Sequence, residues 1–564
     1  MKILLAAINA KYIHSNPAVY SLRACTGAYR PYVAIAEYTI NQPPDLLLRD
    51  IYQQRPDVIA FSCYIWNRRM LDQLIPDLHK LLPNTDIWAG GPEVSYDAAS
   101  ALRTWQLRGV MTGPGEATFA QLVSAYVDGR AEHLPQVLDS KNTPILPLAE
   151  IPFWYEDLTN FKNRIIYYES SRGCPFSCSY CLSSIERTMD FRPVLQVCKE
   201  LDFFLEKKVP LVKFIDRTFN CKKEHALPIL AHILEHDNGI TSFHFEMAPD
   251  LLDEDYFSLL EKMRPGAVQL EIGIQSTHPE TLAAIERPSD FAKTTAAIRR
   301  IRAWNSIHIH LDLIAGLPYE DLDTFILSFN DVYDLTPTQL QLGFLKVLKG
   351  SAMAQHAEAY RTIYTSQPPY EVLATRWLSY EDICKLKQVE EVLEIYYNSG
   401  QFTHTLRYLR PYFHTPYALY ASLADWYEAR GLFVVQSSRI RKYEILLGFA
   451  EAKTDADRLV LRETLTYDLY LREHMKNRPA FALSQQRWKN QIRGLLLEEA
   501  QTHTLFPDLH EYSYRELTKL LHIEVFESIC AQPTAVIFGY ETRDPLTHNG
   551  IAVTRRFPAN IMKY

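Results

Sequence analysis

The chain has 564 residues, of which 47% are hydrophobic and 22% charged, and its formal net charge is −8. This composition excludes a disordered chain and a basic surface that coats nucleic acid, and the length predicts roughly three to four domains. The apolar run ILLAAI near the start is too short to span a membrane and lacks a signal-peptide cleavage site. Six of the nine cysteines are scattered, so we expect a protein of the reducing cytoplasm. From the charge and the short apolar run we expect neither nucleic-acid nor membrane partners.

The first 130 residues predict five βα units. Amphipathic stretches of helical length separate five apolar runs of strand length: KILLAAI (2–8), YVAIAEYTI (32–40), DVIAFSCYI (57–65), TDIWAGG (85–91) and GVMTG (109–113). Continuous apolar strands predict a parallel sheet that is covered on both faces, as in a doubly wound domain. Ligands of such domains bind beyond the carboxyl ends of the strands.

The residues at these strand ends are rich in glycine and small polar groups, which let a backbone approach a ligand. A single GG would be explained by a tight turn, but four successive strand ends share this character, which favours a ligand site. No G-x-G-x-x-G follows the first strand, and this counts against a dinucleotide. The candidate ligand-binding residues are Ser62, Tyr64, Trp66, Gly90, Gly91, Gly113, Gly115 and Glu116.

This pattern resembles the cobalamin-binding domain that precedes many radical S-adenosylmethionine (SAM) enzymes. The resemblance rests on the strand count, SCYIWN (62–67), the GG after the fourth strand and GPGEATF (113–119). It implies that the candidate residues contact cobalamin, with Tyr64 and Trp66 packed near the corrin. The family's cobalt-ligating D-x-H-x-x-G is absent, and Asn9 and Lys11 stand where its Asp and His would be. The resemblance therefore implies cobalamin whose lower face this histidine does not ligate.

A proline-rich segment over 131–160 predicts a linker, and three clustered cysteines follow it. Cys174, Cys178 and Cys181 are spaced C-x-x-x-C-x-x-C and supply three of the four thiolates that complete a four-iron cluster. One iron would stay open for a ligand. The residues alone leave two alternatives, a three-cysteine zinc site completed by a histidine and cysteines that are simply buried. No second ligand pair follows within a dozen or so residues, as a zinc module would usually require.

The cysteine motif resembles the signature of the radical SAM superfamily. The resemblance implies a [4Fe–4S] cluster whose open iron is chelated by the amino and carboxylate groups of SAM. It also implies the chemistry, in which an electron from the cluster cleaves the sulfonium to give methionine and a 5′-deoxyadenosyl radical. Tyr180, directly before the last cysteine, also fits this family.

Six strand-like runs with helical spacers, one just before the cysteines and five after them, predict a partial barrel: IIYYES (165–170), LVKFID (211–216), SFHFEM (242–247), AVQLEIGIQS (267–276), IHIHLDLIAG (307–316) and LQLGFL (340–345). Polar residues alternate with apolar residues in three of these runs, as in Gln269, Glu271 and Gln275 against Leu270 and Ile272. We therefore expect a polar lumen that holds a ligand. A hydrogen-bonded polar core is the alternative.

The resemblance to cobalamin-dependent radical SAM enzymes continues through FIDRTFN (214–220), LEIGIQS (270–276), DLIAGLP (312–318) and GFLKVLKGS (343–351). It implies that Asp216 holds the methionine amino group. Arg217 either neutralises the SAM carboxylate or forms a structural ion pair with Asp216. Further implied contacts to the ribose, the carboxylate or the substrate are Glu246, Glu271, Gln275 and Asp312.

From about residue 355 the pattern becomes helical, and TAVIFGYE and GIAVTRR predict a terminal hairpin. The expected fold is α/β and multidomain: a doubly wound, flavodoxin-like cobalamin-binding domain (1–130), a linker (131–160), a partial (β/α)6 radical SAM barrel (161–354) and a mainly α-helical C-terminal domain (355–564). The resemblance implies a methyltransferase that acts on an unactivated carbon or phosphorus centre of a small molecule or peptide, with an electron donor such as flavodoxin or ferredoxin. A cobalamin-assisted rearrangement or cyclisation and a non-catalytic cobalamin sensor with a structural cluster are the alternatives.

Overall fold

The computed structural model of the chain describes residues 1–139, 143, 145–185 and 188–557. The chain divides into two compact units, which are described separately. The first unit comprises Met1–Ile307, Ile314–Leu322 and Gly343–Tyr380. The second unit comprises His308–Leu313, Asp323–Leu342 and Glu381–Tyr564.

A six-stranded parallel sheet forms the N-terminal part of the first unit, with strand order β2-β1-β3-β4-β5-β6. Its strands are β1 (Ile3–Asn9), β2 (Val33–Thr39), β3 (Val58–Ser62), β4 (Asp86–Gly90), β5 (Gly109–Thr112) and β6 (Val137–Asp139). Its helices are α1 (Pro17–Ala24), α2 (Pro44–Gln54), α3 (Arg68–Leu81), α4 (Pro92–Ser95), α5 (Ala98–Trp105) and α6 (Glu116–Val127). The order confirms the predicted flavodoxin-like domain.

Both faces of this sheet are covered, because β1 is buried at every position. Its residues alternate between two hydrophobic clusters: Leu4, Ala6 and Ile8 belong to one, and Ile3, Leu5 and Ala7 belong to the other. Side chains of consecutive strand residues point to opposite faces, so the two clusters lie on the two faces of the sheet. The continuous apolar runs therefore predicted this burial correctly.

The predicted linker over 131–160 is wrong in one part, since Val137–Asp139 forms strand β6 beside β5. Val110 pairs with Val137, and Met111 pairs with Leu138. The strand has only three residues, and Val137 is exposed, so neither an apolar run nor an alternating pattern marks it in the sequence.

A second six-stranded sheet follows, with order β14-β13-β12-β11-β10-β7. Its strands are β7 (Ile166–Tyr168), β10 (Leu211–Phe214), β11 (Ser242–Glu246), β12 (Val268–Gln275), β13 (His308–Ala315) and β14 (Gln339–Phe344). A separate antiparallel pair, β8 (Ser171–Arg172) and β9 (Asp190–Phe191), lies on either side of the cysteine segment in the chain. The helices are α7 (Val194–Glu206), α8 (Lys223–Glu235), α9 (Glu254–Leu260), α10 (Pro279–Ala284), α11 (Phe291–Trp304), α12 (Leu322–Tyr333) and α13 (Ala352–His356), followed by β15 (Ile363–Tyr364) and β16 (Val372–Ala374). The sheet is open at β7 and β14, which agrees with the expected partial barrel.

The polar and apolar residues of these strands lie on opposite faces, as predicted. In β11 the phenylalanines 243 and 245 are buried, whereas His244 and Glu246 are partly accessible. The same alternation runs along β12 and β13. The polar face of the sheet is therefore available to a ligand.

The second unit is mainly helical, as expected, and ends in a three-stranded antiparallel sheet. Its helices are α14 (Tyr380–Leu393), α15 (Thr403–Leu409), α16 (Pro416–Glu428), α17 (Arg439–Lys453), α18 (Arg458–Arg472), α19 (Lys489–Thr502) and α20 (Tyr514–Leu520). The sheet contains β17 (Leu521–Phe526), β18 (Thr534–Arg543) and β19 (Gly550–Arg556). The predicted hairpin is present as β18 and β19, and β17 adds a third strand. Among the described residues, no helix combines the length and apolar character needed to cross a membrane.

Candidate functional site

A cavity of about 190 Å³ opens at the carboxyl edge of the N-terminal sheet. The carboxyl ends of β3, β4 and β5 meet there, which is where a doubly wound domain binds its ligand. Seven of the eight residues predicted for this ligand line the cavity: Ser62, Tyr64, Gly90, Gly91, Gly113, Gly115 and Glu116. Apolar side chains complete the wall: Leu5, Ala18, Leu22, Phe61, Pro92 and Met111.

Two glycines are required by the geometry of this cavity. Gly91 has φ +112°, and a Cβ atom at this position would lie 2.5 Å from the carbonyl oxygen of Cys63. A Cβ atom at Gly115 would lie 2.9 Å from Leu22 Cδ2. Larger residues at these positions would either strain the backbone or displace the wall of the cavity.

Trp66, the eighth predicted residue, stands beside the cavity rather than in its wall. Its indole stacks on Tyr64 with ring centroids 4.3 Å apart and planes 7° apart, and its Nε1 donates to the Ile8 carbonyl at 3.1 Å. Burial raises the pKa of Tyr64 to about 12, which keeps the phenol neutral. The stacking and this hydrogen bond fix the orientation of the indole, and 41% of Trp66 remains exposed, so the pair forms an accessible aromatic platform.

The loop after β1 is fixed to the barrel domain. His14 Nδ1 lies 2.6 Å from the Tyr167 hydroxyl, and Asn9 Nδ2 donates to the His14 carbonyl at 3.1 Å. No histidine is among the described residues that line the cavity. This arrangement agrees with the missing D-x-H-x-x-G motif, since His14 contacts a tyrosine of the neighbouring domain.

The three clustered cysteines lie in the segment between β8 and β9, and all three are free thiols. Gly173 enters this segment with φ +97°, and a Cβ atom there would lie 2.3 Å from the Thr188 carbonyl oxygen. Cys174 Sγ lies 3.6 Å from Thr218 Oγ1, and Cys178 is buried. Among the described residues, the three thiols are not a set whose sulfur atoms all lie within 4.8 Å of one another.

Arg287 is a candidate site residue that the sequence did not reveal. Its Nη1 donates to Cys178 Sγ at 3.3 Å, and its Nη2 donates to the Gly273 carbonyl at 2.6 Å. Burial lowers its pKa, but Tyr180 and Cys178 outweigh that effect and raise it. The side chain thus places a permanent cation beside the cysteine segment, although Arg287 and Cys178 are 109 residues apart.

Asp216 is fully buried at the end of β10, and its carboxylate bonds to the chain that leads into the cysteine segment. It accepts hydrogen bonds from the Ser170 N–H at 2.8 Å, from the Ser170 hydroxyl and from the Ser171 hydroxyl at 3.0 Å. Burial raises the pKa of Asp216 to about 6. Arg217 is exposed, and the ion pair between Asp216 and Arg217 that the sequence left open is not formed among the described residues.

A charged cluster occupies the polar face of the barrel sheet. Glu271 Oε2 accepts from Lys213 Nζ at 3.1 Å and lies 2.9 Å from His244 Nε2. Burial raises the pKa of Glu246 to about 7; Glu271 adds to this rise, while Arg217 and Lys213 oppose it. Asp312 belongs to the second unit, where its Oδ1 lies 3.2 Å from His310 Nε2.

Gln275 carries an unsatisfied polar atom. Its Oε1 is buried and has no hydrogen-bond partner among the described residues, and its backbone has φ +71°. The side-chain amide lies over Gly273, where a Cβ atom would be 2.0 Å from Nε2. A buried acceptor without a partner is costly, so this atom points to a ligand that donates a hydrogen bond.

Arg172 joins the cysteine segment to the N-terminal cavity. Its Nη2 donates to Glu116 Oε1 and to Glu169 Oε2, both at 2.8 Å, and its Nε donates to Glu169 Oε1 at 2.9 Å. Burial would raise the pKa of Glu116, but the charge and hydrogen bond of Arg172 lower it below its usual value. Arg172 directly precedes the Gly173-Cys174 pair, so its position beside the motif was the only sequence signal of this role.

Comparison with known families identifies three regions of the chain. Residues 3–123 match the B12 binding domain, and residues 168–332 match the Radical SAM superfamily. Residues 358–538 match a family described as Protein of unknown function (DUF4080). The N-terminal cavity lies in the first region, and the cysteine segment with Arg287 lies in the second.

Curated relatives include the cobalamin-dependent radical SAM methyltransferase TokK of Streptomyces tokunonensis, 24% identical over 306 residues that are 48% of this chain and 44% of TokK. The 2-(S-pantetheinyl)-carbapenam-3-carboxylate methyltransferase of Streptantibioticus cattleyicolor is 24% identical over 372 residues, 57% of this chain and 52% of that protein. The chain thus spans about half the length of these relatives. The cobalamin-dependent SAM radical enzyme OxsB, solved with aqua-cobalamin and SAM, has a similar fold, with a TM-score of 0.55 and 13% identity over 82% of this chain and 83% of OxsB.

The cofactors that follow from these domains are cobalamin, a [4Fe–4S] cluster and SAM. The side chains present fit all three. The N-terminal cavity is smaller than a whole corrinoid, so it suits a part of that molecule. Three free thiols suit the cluster, and the Gln275 acceptor and the Arg287 cation suit a zwitterionic ligand such as SAM.

Proposed function

We propose that this chain, a radical SAM protein with an N-terminal B12 binding domain and a C-terminal DUF4080 domain, is a cobalamin-dependent methyltransferase. The observation that carries the proposal is the Arg172 bridge. The guanidinium of Arg172 donates a hydrogen bond to Glu116 in the wall of the cavity, and Arg172 itself directly precedes the cysteine segment in the chain. Two cofactors held by one rigid bridge would face a common substrate. Their separation would then be fixed before the substrate arrives.

Bound at these sites, the cluster and SAM supply reductive radical chemistry, and cobalamin supplies a methyl carrier. Cys174, Cys178 and Cys181 would hold the cluster as thiolates. Arg287 would neutralise the carboxylate of a SAM molecule at the open iron, since its guanidinium already lies 3.3 Å from Cys178 Sγ. Gln275 Oε1 would accept a hydrogen bond from the same ligand.

The residues of the N-terminal cavity would receive part of the cobalamin, with the Tyr64–Trp66 platform beside the corrin. Gly91 and Gly115 would allow the backbone to approach that part closely. Asp216 would act as a positioning residue, because its hydrogen bonds to Ser170 and Ser171 hold the entry to the cysteine segment. It would also contact SAM.

The substrate would be a small polar molecule or a peptide side chain that enters the barrel. Lys213, His244 and Glu271 form a charged cluster on the polar face of the sheet, and Glu246 lies near it. These groups would bind polar substituents and leave an unactivated carbon or phosphorus centre toward the cofactors. An electron donor such as flavodoxin or ferredoxin would reduce the cluster.

The proposal is tested by anaerobic reconstitution with cobalamin, SAM and a strong reductant, followed by quantification of S-adenosylhomocysteine and 5′-deoxyadenosine. A variant with Cys174→Ala, Cys178→Ala and Cys181→Ala is compared with a matched control, Cys198→Ala, Cys384→Ala and Cys530→Ala. We expect cobalamin-dependent S-adenosylhomocysteine, together with 5′-deoxyadenosine that the first variant loses and the control keeps. Formation of 5′-deoxyadenosine alone would instead support a rearrangement, and the absence of both products would support a sensor.

A further inference from the structure

Two histidines at the C-terminal end of α8 form a pair that the proposed methyl transfer does not use; His232 lies in the helix, and His236 directly follows its last residue. His232 and His236 stand in the sequence HILEH, one helical turn apart, so their side chains lie on the same face. Their rings are nearly parallel, with centroids 4.1 Å apart and planes 25° apart. This H-x-x-x-H spacing is one that zinc sites use to supply two imidazole ligands from one helix.

The preceding helix, α7, brings a carboxylate to this pair. Asp202 Oδ1 lies 2.7 Å from His232 Nε2. One ligand atom from each of Asp202, His232 and His236 lies within 4.8 Å of the other two. Among the described histidine, cysteine, aspartate and glutamate side chains, this is the one set of three that meets this spacing.

A backbone hydrogen bond prepares His236 to act as a ligand. Its Nδ1 lies 3.0 Å from the His232 carbonyl oxygen, which can only accept a hydrogen bond. Nδ1 therefore carries a hydrogen, and in the neutral imidazole this leaves the lone pair on Nε2. Histidine ligands of metal ions are commonly oriented by such a contact at the other ring nitrogen.

We propose that Asp202, His232 and His236 bind a divalent transition-metal ion of the Zn²⁺ class, which cross-links α7 to α8. Two imidazoles and one carboxylate are borderline ligands that suit Zn²⁺, with water in the fourth position. Two ligand atoms at tetrahedral Zn²⁺ are roughly 3.3 Å apart, so the 2.7 Å pair must separate slightly. Asp202 and His236 are accessible enough for this movement, since the Asp202 side chain is 42% exposed and His236 is exposed.

The proposed ion would have a structural role that is independent of methyl transfer. Helix α7 follows the cysteine segment, and α8 follows the loop that carries Asp216. A metal that binds the folded but not the unfolded chain raises stability with its concentration. We therefore expect Zn²⁺ to raise the melting temperature of the protein.

The test is equilibrium dialysis of cluster-reconstituted protein against buffered Zn²⁺, with the bound metal measured by mass spectrometry. The variants Asp202→Asn and His236→Gln are compared with wild type and with a control, His133→Gln, whose exposed imidazole lies 3.5 Å from Glu132. We expect one Zn²⁺ per chain in wild type and in the control. Both variants should bind Zn²⁺ with an affinity at least about tenfold lower. Zn²⁺ should raise the melting temperature of wild type and of the control but not of the two variants.

Equal Zn²⁺ affinity in wild type and both variants would overturn the proposal, because the metal would then be bound elsewhere, for example at residual cysteines. The absence of bound Zn²⁺ in wild type would overturn it as well. Circular dichroism of each variant without metal establishes that a lower affinity is not caused by unfolding.

Discussion

Substituting Arg172 by glutamine should loosen the cysteine segment and the cobalamin cavity together. Arg172 makes three charge-assisted hydrogen bonds, one to Glu116 and two to Glu169. Breaking a buried ion pair by removing one partner costs about 3–5 kcal/mol. Because 28% of the Arg172 side chain is exposed, water offsets part of that loss. We expect about 2–3 kcal/mol of local destabilisation, which is roughly a 30- to 150-fold rise in local opening.

Hydrogen–deuterium exchange measured by mass spectrometry tests this expectation in peptides that cover 113–127 and 166–182. Arg164→Gln is the matched control, because Arg164 and Glu37 form a comparable pair at 2.7 Å with side chains 14% and 7% exposed. We expect Arg172→Gln to raise exchange in both peptides and Arg164→Gln to raise it near Glu37 instead. Equal protection in wild type and Arg172→Gln would refute the argument that this bridge holds the two sites.

The effect of Arg172→Gln should also depend on pH. In wild type Arg172 lowers the pKa of Glu116, so the stabilisation is present above the pKa of the unfolded chain and is lost as pH falls through the folded pKa. Without Arg172, burial would dominate and raise the pKa of Glu116, so the penalty would grow as pH rises. The difference between variant and wild type, corrected for intrinsic exchange rates, should therefore be larger at pH 8 than at pH 5.5. A difference that shrinks with rising pH would contradict this electrostatic origin.

Three further predictions concern the proposed cofactor sites. Gly91→Ala should lose cobalamin and about 1–3 kcal/mol of stability, because Gly91 has a positive φ and the added Cβ would contact the Cys63 carbonyl. The control Gly129→Ala should keep cobalamin, because Gly129 has φ +71° but open space around it. Cobalt content after gel filtration and thermal unfolding distinguish the two variants. Trp66→Ala should weaken cobalamin retention by removing the stacked platform, and unchanged cobalt content would reject that role. The pKa of Glu246 is about 7, and only its ionised form attracts a cationic ligand, so SAM affinity measured by calorimetry should rise from pH 6 to pH 8. Glu246→Gln should flatten this dependence. A pH dependence that persists in the variant would exclude Glu246 as its cause.

The sheets could be predicted because their strands are either continuously apolar or strictly alternating. The runs at 267–276 and 307–316 correspond to β12 and β13 within one residue at each end. Strand β6 could not be predicted, because its three residues include an exposed valine and carry no periodic signal. Strand β17 was missed as well, although it belongs to the terminal sheet.

The candidate site was only partly accessible from the sequence, since a motif reveals residues that are close in the chain. The three cysteines were predicted as cluster ligands in this way, and the strand-end residues were predicted from the rule for doubly wound sheets. Arg287 was missed, because only the folded chain brings it to Cys178. Glu116 was predicted as a ligand-binding residue, but its ion pair with Arg172 depends on the packing of the B12 binding domain against the barrel strands.

The central claim is that cobalamin and the cluster occupy adjoining sites in this chain. The most direct measurement is electron paramagnetic resonance of the protein loaded with both cofactors, because cob(II)alamin and the reduced cluster are both paramagnetic. We predict that reduction of the cluster broadens the cob(II)alamin signal and speeds its relaxation, and that a variant lacking the three cluster cysteines shows neither effect. A spectrum equal to the sum of the two separate signals would contradict the account.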